Sequence, residues 1–140
     1  MSNDKTDYLE AQTLDRIFAN QAPDAAVDGV YVALWASTPT NAPDETNEIT
    51  GGSYSPVQVT ASGWSVNSTA GPREYVNDSV IDFGVLDSGS DITIEGVVLY
   101  DGADTSTANA LYFDDDFSST TVSAGNKFEL GAGNVTISED

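Results

Sequence analysis

The residues Ile-Thr-Ile-Glu-Gly-Val-Val-Leu-Tyr at positions 92–100 form the strongest predicted strand and decide the fold. Val and Ile favour strands, and Gly96 interrupts the run where a bulge or a close approach of another segment is expected. In residues 30–35, side chains of two opposite faces alternate along the chain, which also predicts a strand. Turn sequences such as Asp87-Ser-Gly-Ser90 separate the predicted strands. Further strands are predicted at 55–61, 79–85, 108–113, 120–122, 127–130 and 134–137, and residues 64–66 either continue the strand at 55–61 or start another. Strands without intervening helices predict a mainly β fold, an antiparallel β-sandwich or related barrel with Greek-key or jelly-roll-like links.

One short α-helix is predicted before the strands, over residues 6–19. Thr6 is placed to cap it, because a threonine side-chain oxygen can accept a backbone N–H of the first turn. An apolar stripe follows at helical spacing, made of Leu9, Leu14, Ile17 and Phe18. The stripe has two interpretations that the sequence leaves open. It can anchor the protein or pack against another subunit, or it can cover one open end of the sandwich.

The chain is expected to form one domain over residues 6–140, preceded by a disordered tail at 1–5. Residues 20–28, with Pro23, are predicted to end the helix and form a loop. Residues 37–52 form a second, longer polar loop, and loops of this length are usually functional or flexible. No apolar run reaches the roughly 18 residues of a membrane-spanning helix, and the N-terminus lacks an apolar signal region, so neither membrane insertion nor export is expected.

The charge is strongly acidic: 23 Asp and Glu face four Lys and Arg, for a formal net charge of −19. A phosphate backbone or an anionic membrane needs a basic surface, so nucleic acid and such membranes are not expected as partners. The acidic residues are dispersed along the chain rather than collected in a tail. Because molar salt shortens the Debye length to about 3 Å, such a surface suits a halophilic protein, as in halophilic archaea or their viruses.

Enzymatic activity is not expected. The chain has no His and no Cys, which excludes a Ser-His-Asp triad, a thiolate nucleophile and a zinc site built on those residues. No Gly-x-Ser-x-Gly motif occurs, and the Gly51-Gly52 pair lacks the lysine and helix of a phosphate-binding loop. Carboxylate pairs able to act as acid and base arise by chance in so acidic a chain, and no pair is singled out.

One run of carboxylates is a candidate metal site. Asp114, Asp115 and Asp116 follow a predicted strand, and carboxylate oxygens are ligands of Ca²⁺ and Mg²⁺. The spacing of a calcium-binding EF-hand loop is absent. The run therefore predicts either a hard-cation site or a solvated strand end, and no other cofactor is expected.

Aromatic residues and asparagines supply the remaining candidate sites. Tyr31, Trp35 and Tyr54 are candidate interface residues, because aromatic side chains are enriched where subunits meet. A sugar-binding face is the alternative for the same side chains. Three Asn-x-Ser/Thr sequences, at Asn67, Asn77 and Asn134, would accept glycans in a surface protein, although they also arise by chance in a chain rich in Ser and Thr.

The chain resembles a family of small virion proteins of tailed bacteriophages, described as tail-fibre-like, head-decoration or structural proteins. The most specific similarity is the segment Glu48-Ile-Thr-Gly-Gly-Ser-Tyr54, which is similar to a Glu-x-Ser/Thr-Gly-Gly-x-Tyr segment of that family. Other segments match in order, and the resemblance covers nearly the whole chain. They are Tyr8–Glu10, Leu14-Asp15, Phe18, Tyr31–Leu34, Thr38-Pro39, Phe83, Ile94–Gly96, Leu99–Asp101, Asn109–Phe113, Val122–Gly125 and Ala132–Ile137.

The resemblance implies a non-enzymatic structural protein on the exterior of a tailed virus, assembled in the host cytoplasm. A capsid decoration or turret subunit is the first expectation. A tail, tail-tip or fibre component that contacts the host is the alternative, and a carbohydrate-binding module ranks below both. The acidic surface departs from bacterial members and fits a tailed virus of a halophilic archaeon. The expected partners are the major capsid protein or tail components and other copies of the chain, as a homotrimer or homopentamer.

Overall fold

The structure is a computed structural model that describes residues 4–19, 29–67 and 74–138. It contains one α-helix, α1 (Asp7–Phe18), and short 3₁₀ turns at Glu45–Asn47 and Ala61–Gly63. The strands are β1 (Asp4–Lys5), β2 (Gly29–Trp35), β3 (Val57–Thr60), β4 (Trp64–Asn67), β5 (Glu74–Asn77), β6 (Ile81–Leu86), β7 (Ile92–Ile94), β8 (Gly96–Tyr100), β9 (Ala110–Asp114), β10 (Thr120–Val122), β11 (Asn126–Leu130) and β12 (Thr136–Ser138).

Strand pairing follows a nested order. β8 pairs with β9, β7 with β10, β6 with β11 and β5 with β12, all antiparallel. The second half of the chain is therefore one long hairpin, folded over on itself in the manner of a jelly roll. The largest sheet has the order β1-β9-β8-β2-β3, and β12-β5-β4 forms a separate three-stranded sheet. The predicted mainly β, sandwich-like fold with one N-terminal helix is confirmed.

The main core lies between the packed sheets, and it uses one face of β2 and β8. Val32, Leu34, Val97 and Leu99 point into it and are fully buried. Val135, just before β12, and side chains of the smaller sheets complete the core; the latter are Ile81, Phe83, Leu86, Ile92, Ile94, Val122 and Leu130. Removing this much apolar surface from water is the dominant favourable contribution to folding.

The opposite face of β2 and β8 is buried as well. It forms a second cluster of Ala33, Trp35, Val98, Tyr100 and Phe113, in which the Trp35 and Tyr100 rings stack with centroids 5.7 Å apart. Burial on both faces explains why both alternating sets of side chains in these two strands are apolar.

The long loop after β2 packs closely against β8. A Cβ atom at Gly96 would lie 2.2 Å from the Pro39 ring, so the predicted close approach at this glycine is confirmed. The loop is also joined to the start of α1, because Asp7 N–H donates to the Asn41 carbonyl at 3.0 Å and the Asn41 amide donates to the Asp7 carboxylate at 2.9 Å. The loop is held by specific contacts at these points.

Three local predictions need correction. Asp4 and Lys5, expected in a disordered tail, form β1 and pair with Phe113 and Tyr112. β5 was not predicted, because Glu74–Asn77 is too polar to show a clear alternation. The alternation predicted through β6 breaks at Gly84, whose φ of +72° creates a bulge that leaves the next side chain exposed. Residues 1–3 and the loop predicted at 20–28 lie outside the described residues.

Candidate interaction surface

The start of α1 is fixed to the edge of the large sheet. Thr6 is 2% exposed, and its N–H donates to the Leu111 carbonyl at 3.0 Å while its hydroxyl donates to the Ala110 carbonyl at 2.5 Å. The same hydroxyl oxygen accepts the Leu9 N–H at 3.3 Å, so the predicted N-cap is confirmed. The helix therefore has a defined position at its first turn.

The second half of α1 carries apolar side chains that the domain does not cover. Leu14 is 55% exposed, Ile17 65% and Phe18 81%, and we call these three residues the helix surface. No residue of α1 is buried, and Leu9 is only partly covered. The predicted apolar stripe thus exists, and three of its four members are exposed to solvent. Contiguous exposed apolar groups of this kind mark interaction sites.

Charged groups flank the helix surface. Glu10, Asp15 and Arg16 are exposed on the same helix. Within the described parts of the chain, Arg16 forms no ion pair, whereas Lys127 is paired with Asp82 and Glu129 at 2.6 and 2.8 Å. The border of the helix surface therefore offers carboxylates and one guanidinium that has no ion-pair partner among the described residues.

The aromatic residues predicted at an interface lie mainly inside the protein. Trp35 is 1% exposed, so the prediction that it lies at an interface is wrong, and a sugar-binding role for it is wrong for the same reason. Its indole faces the buried Tyr100 ring, because both faces of β2 are covered. Tyr31 is half-buried against the same cluster. Tyr54 is partly buried against the main core, where its ring stacks on Phe83 with centroids 6.2 Å apart.

Tyr54 belongs to a junction that closes the edge of the large sheet. β3 pairs with residues 29–32 of β2, and beyond that point the Leu34 N–H donates to the Tyr54 hydroxyl at 2.9 Å. The Tyr54 hydroxyl in turn donates to the Glu48 carboxylate at 2.9 Å, and the Thr105 hydroxyl donates to the other oxygen of that carboxylate. Burial raises the pKa of Tyr54, so its hydroxyl stays protonated and able to donate.

The two glycines of this segment have a structural role. Gly51 and Gly52 have φ values of +111° and +63°. A Cβ atom at Gly52 would lie 2.3 Å from the Val85 carbonyl oxygen, and one at Gly51 would lie 2.6 Å from that of Asp87. Only glycine allows this backbone to lie so close to β6. The most specific segment of the resemblance, Glu48–Tyr54, therefore has a structural role in the fold.

Asp114 and Asp116 line a cavity. The cavity has a volume of about 360 Å³, and its lining residues are Val97, Asp114, Asp116, Phe117, Ser118, Thr120, Phe128, Glu129, Leu130 and Asn134. Asp114 is 2% exposed, and burial raises the pKa of its carboxyl group. Asp115 and Asp116 are exposed. In the described ranges no three acidic side chains are grouped so that they could hold a metal ion.

The three candidate glycosylation sites differ in their surroundings. Asn77 is 2% exposed, and its amide donates to the carbonyls of Ser79 at 2.8 Å and Gly131 at 3.0 Å. Its oxygen accepts the Val135 N–H at 2.9 Å. In the folded protein this nitrogen is therefore not available to a glycan. Asn134 is exposed, and the side chain of Asn67 lies outside the described residues.

The chain matches a known protein family. Residues 4–138 match the family described as Podophage GP4 fiber I protein gp80. The chain belongs to this family. The resemblance to virion structural proteins of tailed phages is thus confirmed as a phage fibre family, while the match carries no information on a halophilic archaeal host. No curated protein matches the chain. Among the described residues, no helix is long and apolar enough to span a membrane.

The family description changes the order of the two leading interpretations. It names a fiber protein, which favours the tail alternative over capsid decoration. Helical spacing predicts the apolar stripe of α1 but not its exposure, because the spacing is the same for a helix that faces the core and for one that faces a partner. The sequence does not predict the cavity either, since Phe117 and Phe128 come from separate segments that only the nested pairing brings together.

Proposed function

We propose that this chain is a structural component of the tail fibre of a podophage-type virus, with no catalytic role. The observation that carries the proposal is the family match over residues 4–138, which is nearly the whole chain. The fold supports it, because a jelly-roll-like sandwich pairs most strand edges and so limits unwanted edge-to-edge association.

The helix surface is the proposed contact between copies of the chain in a closed homo-oligomer, a trimer or a pentamer. Rotational symmetry would bring the same Leu14, Ile17 and Phe18 side chains together from every copy. Covering them would remove apolar area that the isolated chain exposes. Arg16 has no ion-pair partner within the described parts of its own chain, and Glu10 or Asp15 of a neighbouring copy would supply one.

An oligomerisation assay tests this contact. Phe18→Asn replaces the most exposed apolar side chain of the helix surface, and native mass spectrometry in volatile salt measures the oligomer. Val80→Asn is the matched control, because Val80 is 53% exposed but lies just before β6, away from α1. The wild type and the control are expected to form the oligomer, and Phe18→Asn is expected to be monomeric. Equal oligomerisation of all three proteins would contradict the contact.

The position in the particle separates a fibre from a capsid role. Labelling of intact virions with an antibody against this chain is expected to mark the tail appendages. A decoration protein would instead be labelled over the whole capsid, with copies in proportion to the capsid subunits. Labelling of the capsid alone would overturn the proposal for the tail.

A high-salt environment is the proposed reason for the charge. With 23 carboxylates against four basic residues, the folded chain repels itself at low ionic strength, and salt screens that repulsion. The free energy of unfolding is expected to rise from 0.1 to about 2 M KCl, with most of the increase below about 1 M, where the Debye length shortens most. A fold equally stable at both concentrations would contradict a halophilic origin.

A further inference from the structure

An apolar pocket lies between the five-stranded and the three-stranded sheet, beside the main core. It is lined by Val30, Trp64, Tyr75, Tyr112 and Ile137, which come from β2, β4, β5, β9 and β12. Four of these side chains are partly buried against the main core, whereas Tyr75 is 40% exposed. The pocket therefore opens to solvent beside the Tyr75 ring.

The lining of this pocket favours an apolar occupant. No charged side chain of the described residues lines it. The indole N–H of Trp64 donates to the Val59 carbonyl at 3.4 Å, so this polar group is already used within the chain. An entering polar group would lose its water and find few hydrogen-bond partners, which is unfavourable. The volume of about 210 Å³ exceeds the roughly 150 Å³ of a cavity that binds benzene, so a phenyl ring fits the pocket.

The chain itself presents such a ring. Phe18 is 81% exposed, so it does not fill the pocket of its own chain. Each copy thus carries one protruding phenyl ring and one pocket of matching size and chemistry. In a ring of three or five copies, each copy contacts its neighbour through two different surfaces. A protruding group and a recess on the same chain meet that requirement.

We propose that Phe18 of one copy occupies the pocket of the next copy. Contact of its ring with the Trp64 and Tyr75 rings would add an aromatic interaction to the burial of apolar area. Loss of the phenyl ring would raise the dissociation constant of the oligomer about tenfold to a hundredfold, the effect of exposing one large apolar side chain. That copies meet through α1 rests on the proposed function, whereas the pocket as the receiving surface rests on its lining and volume.

Photo-crosslinking of the full chain identifies what position 18 meets in the oligomer. Phe18→p-benzoylphenylalanine places a photoreactive ring at this position, which reacts with the C–H groups that it touches. Irradiation of an equal mixture of isotope-labelled and unlabelled chains, followed by peptide mapping, recognises crosslinks between copies by their mixed label. They are expected to join position 18 to the peptides that line the pocket. The same replacement at Val80, which is 53% exposed and does not line the pocket, is the control and should not mark these peptides.

Two residues of equal exposure test the pocket by affinity. Tyr75 and Val85 are both 40% exposed, but Val85 lies on β6 and does not line the pocket. Tyr75→Ala is expected to raise the dissociation constant about tenfold, because an aromatic wall of the pocket is lost. Val85→Ala is expected to change it by no more than about twofold. Native mass spectrometry over a dilution series measures both constants, and circular dichroism checks that both variants are folded.

Four results would overturn the proposal. Crosslinks between copies that join position 18 only to α1 would mean that the helices meet each other; they would keep the proposed helix contact and remove the pocket from it. Crosslinks to the pocket of the same chain alone would mean that Phe18 closes its own sandwich. Equal effects of Tyr75→Ala and Val85→Ala would mean that the pocket is not at the contact. A monomeric wild type without crosslinks between copies would contradict the proposed helix contact as well, while virion labelling would still decide the position in the particle.

Discussion

Tyr54→Phe removes a single oxygen atom and tests whether the Glu48–Tyr54 segment holds the sheet edge together. The change keeps the ring that stacks on Phe83, so the packing is retained. It leaves the N–H of Leu34 without its acceptor, and Leu34 is 0% exposed. It also removes one of the two hydrogen bonds to the Glu48 carboxylate, which keeps its bond from Thr105.

The expected loss of stability follows from these contacts. A buried backbone N–H without a partner costs about 1–3 kcal/mol, and the half-exposed Glu48 side chain can replace its lost donor with water. The free energy of unfolding should therefore fall by about 2 kcal/mol, which for a chain of this size lowers Tm by roughly 4–8 °C. The slope of the unfolding free energy against urea concentration should stay unchanged, because the same surface is exposed on unfolding.

Urea unfolding followed by circular dichroism, in constant molar salt, measures the effect. Tyr31→Phe is the matched control, because Tyr31 lies on the same strand as Leu34 and forms no hydrogen bond to the described residues through its hydroxyl. The control should remain within about 0.5 kcal/mol of wild type, as expected for a change away from any specific contact. If Tyr54→Phe were as stable as this control, the tyrosine hydroxyl would not be the partner of Leu34 in solution.

Three further changes test other parts of the account. Gly52→Ala should lower the free energy of unfolding more than Gly89→Ala. Both glycines have a positive φ, which costs about 1–2 kcal/mol for alanine. Only an alanine at position 52 would also place its Cβ against a backbone oxygen, that of Val85. Asn77→Ala should lower the free energy of unfolding by about 3–5 kcal/mol, because the three hydrogen bonds of this buried side chain are lost. A change below about 1 kcal/mol, the size of one ordinary hydrogen bond, would refute its structural role. The folded-state pKa of Asp114 is raised, so just above pH 3.8 this group holds a proton in the folded protein that it has lost in the unfolded chain, and its contribution to stability should fall as pH rises through the raised pKa. In urea unfolding measured from pH 3 to 8, Asp114→Asn should remove this contribution, so the stability of the variant should rise relative to wild type as pH rises. A difference between the two proteins that does not change with pH would contradict it.

The sequence predicted the parts of the fold that depend on local patterns. The alternation of residues 30–35 and the apolar run at 92–100 located β2, β7 and β8, and Thr6 located the start of α1. β5 was not predicted, because its pairing with β4 and β12 makes it a strand and its own composition does not. Propensity is a weak guide where tertiary pairing decides the conformation.

The functional residues were harder to predict than the fold. The helix surface was identified as an apolar stripe, but only the structure shows that Phe18 is almost fully exposed while Trp35 is buried. An aromatic residue in a strand with two covered faces gives the same sequence signal as one at an interface. The cavity could not be predicted either, because β9 and β11 are brought together by pairings between residues far apart in the chain.

Electron microscopy of the intact virion tests the central claim most directly, because it places this chain in the particle. The account predicts density for the β-sandwich in the tail appendages, with copies related by rotational symmetry and the Leu14, Ile17 and Phe18 side chains at the contact between them. Density over the capsid lattice with α1 facing solvent would contradict both the fibre role and the proposed contact.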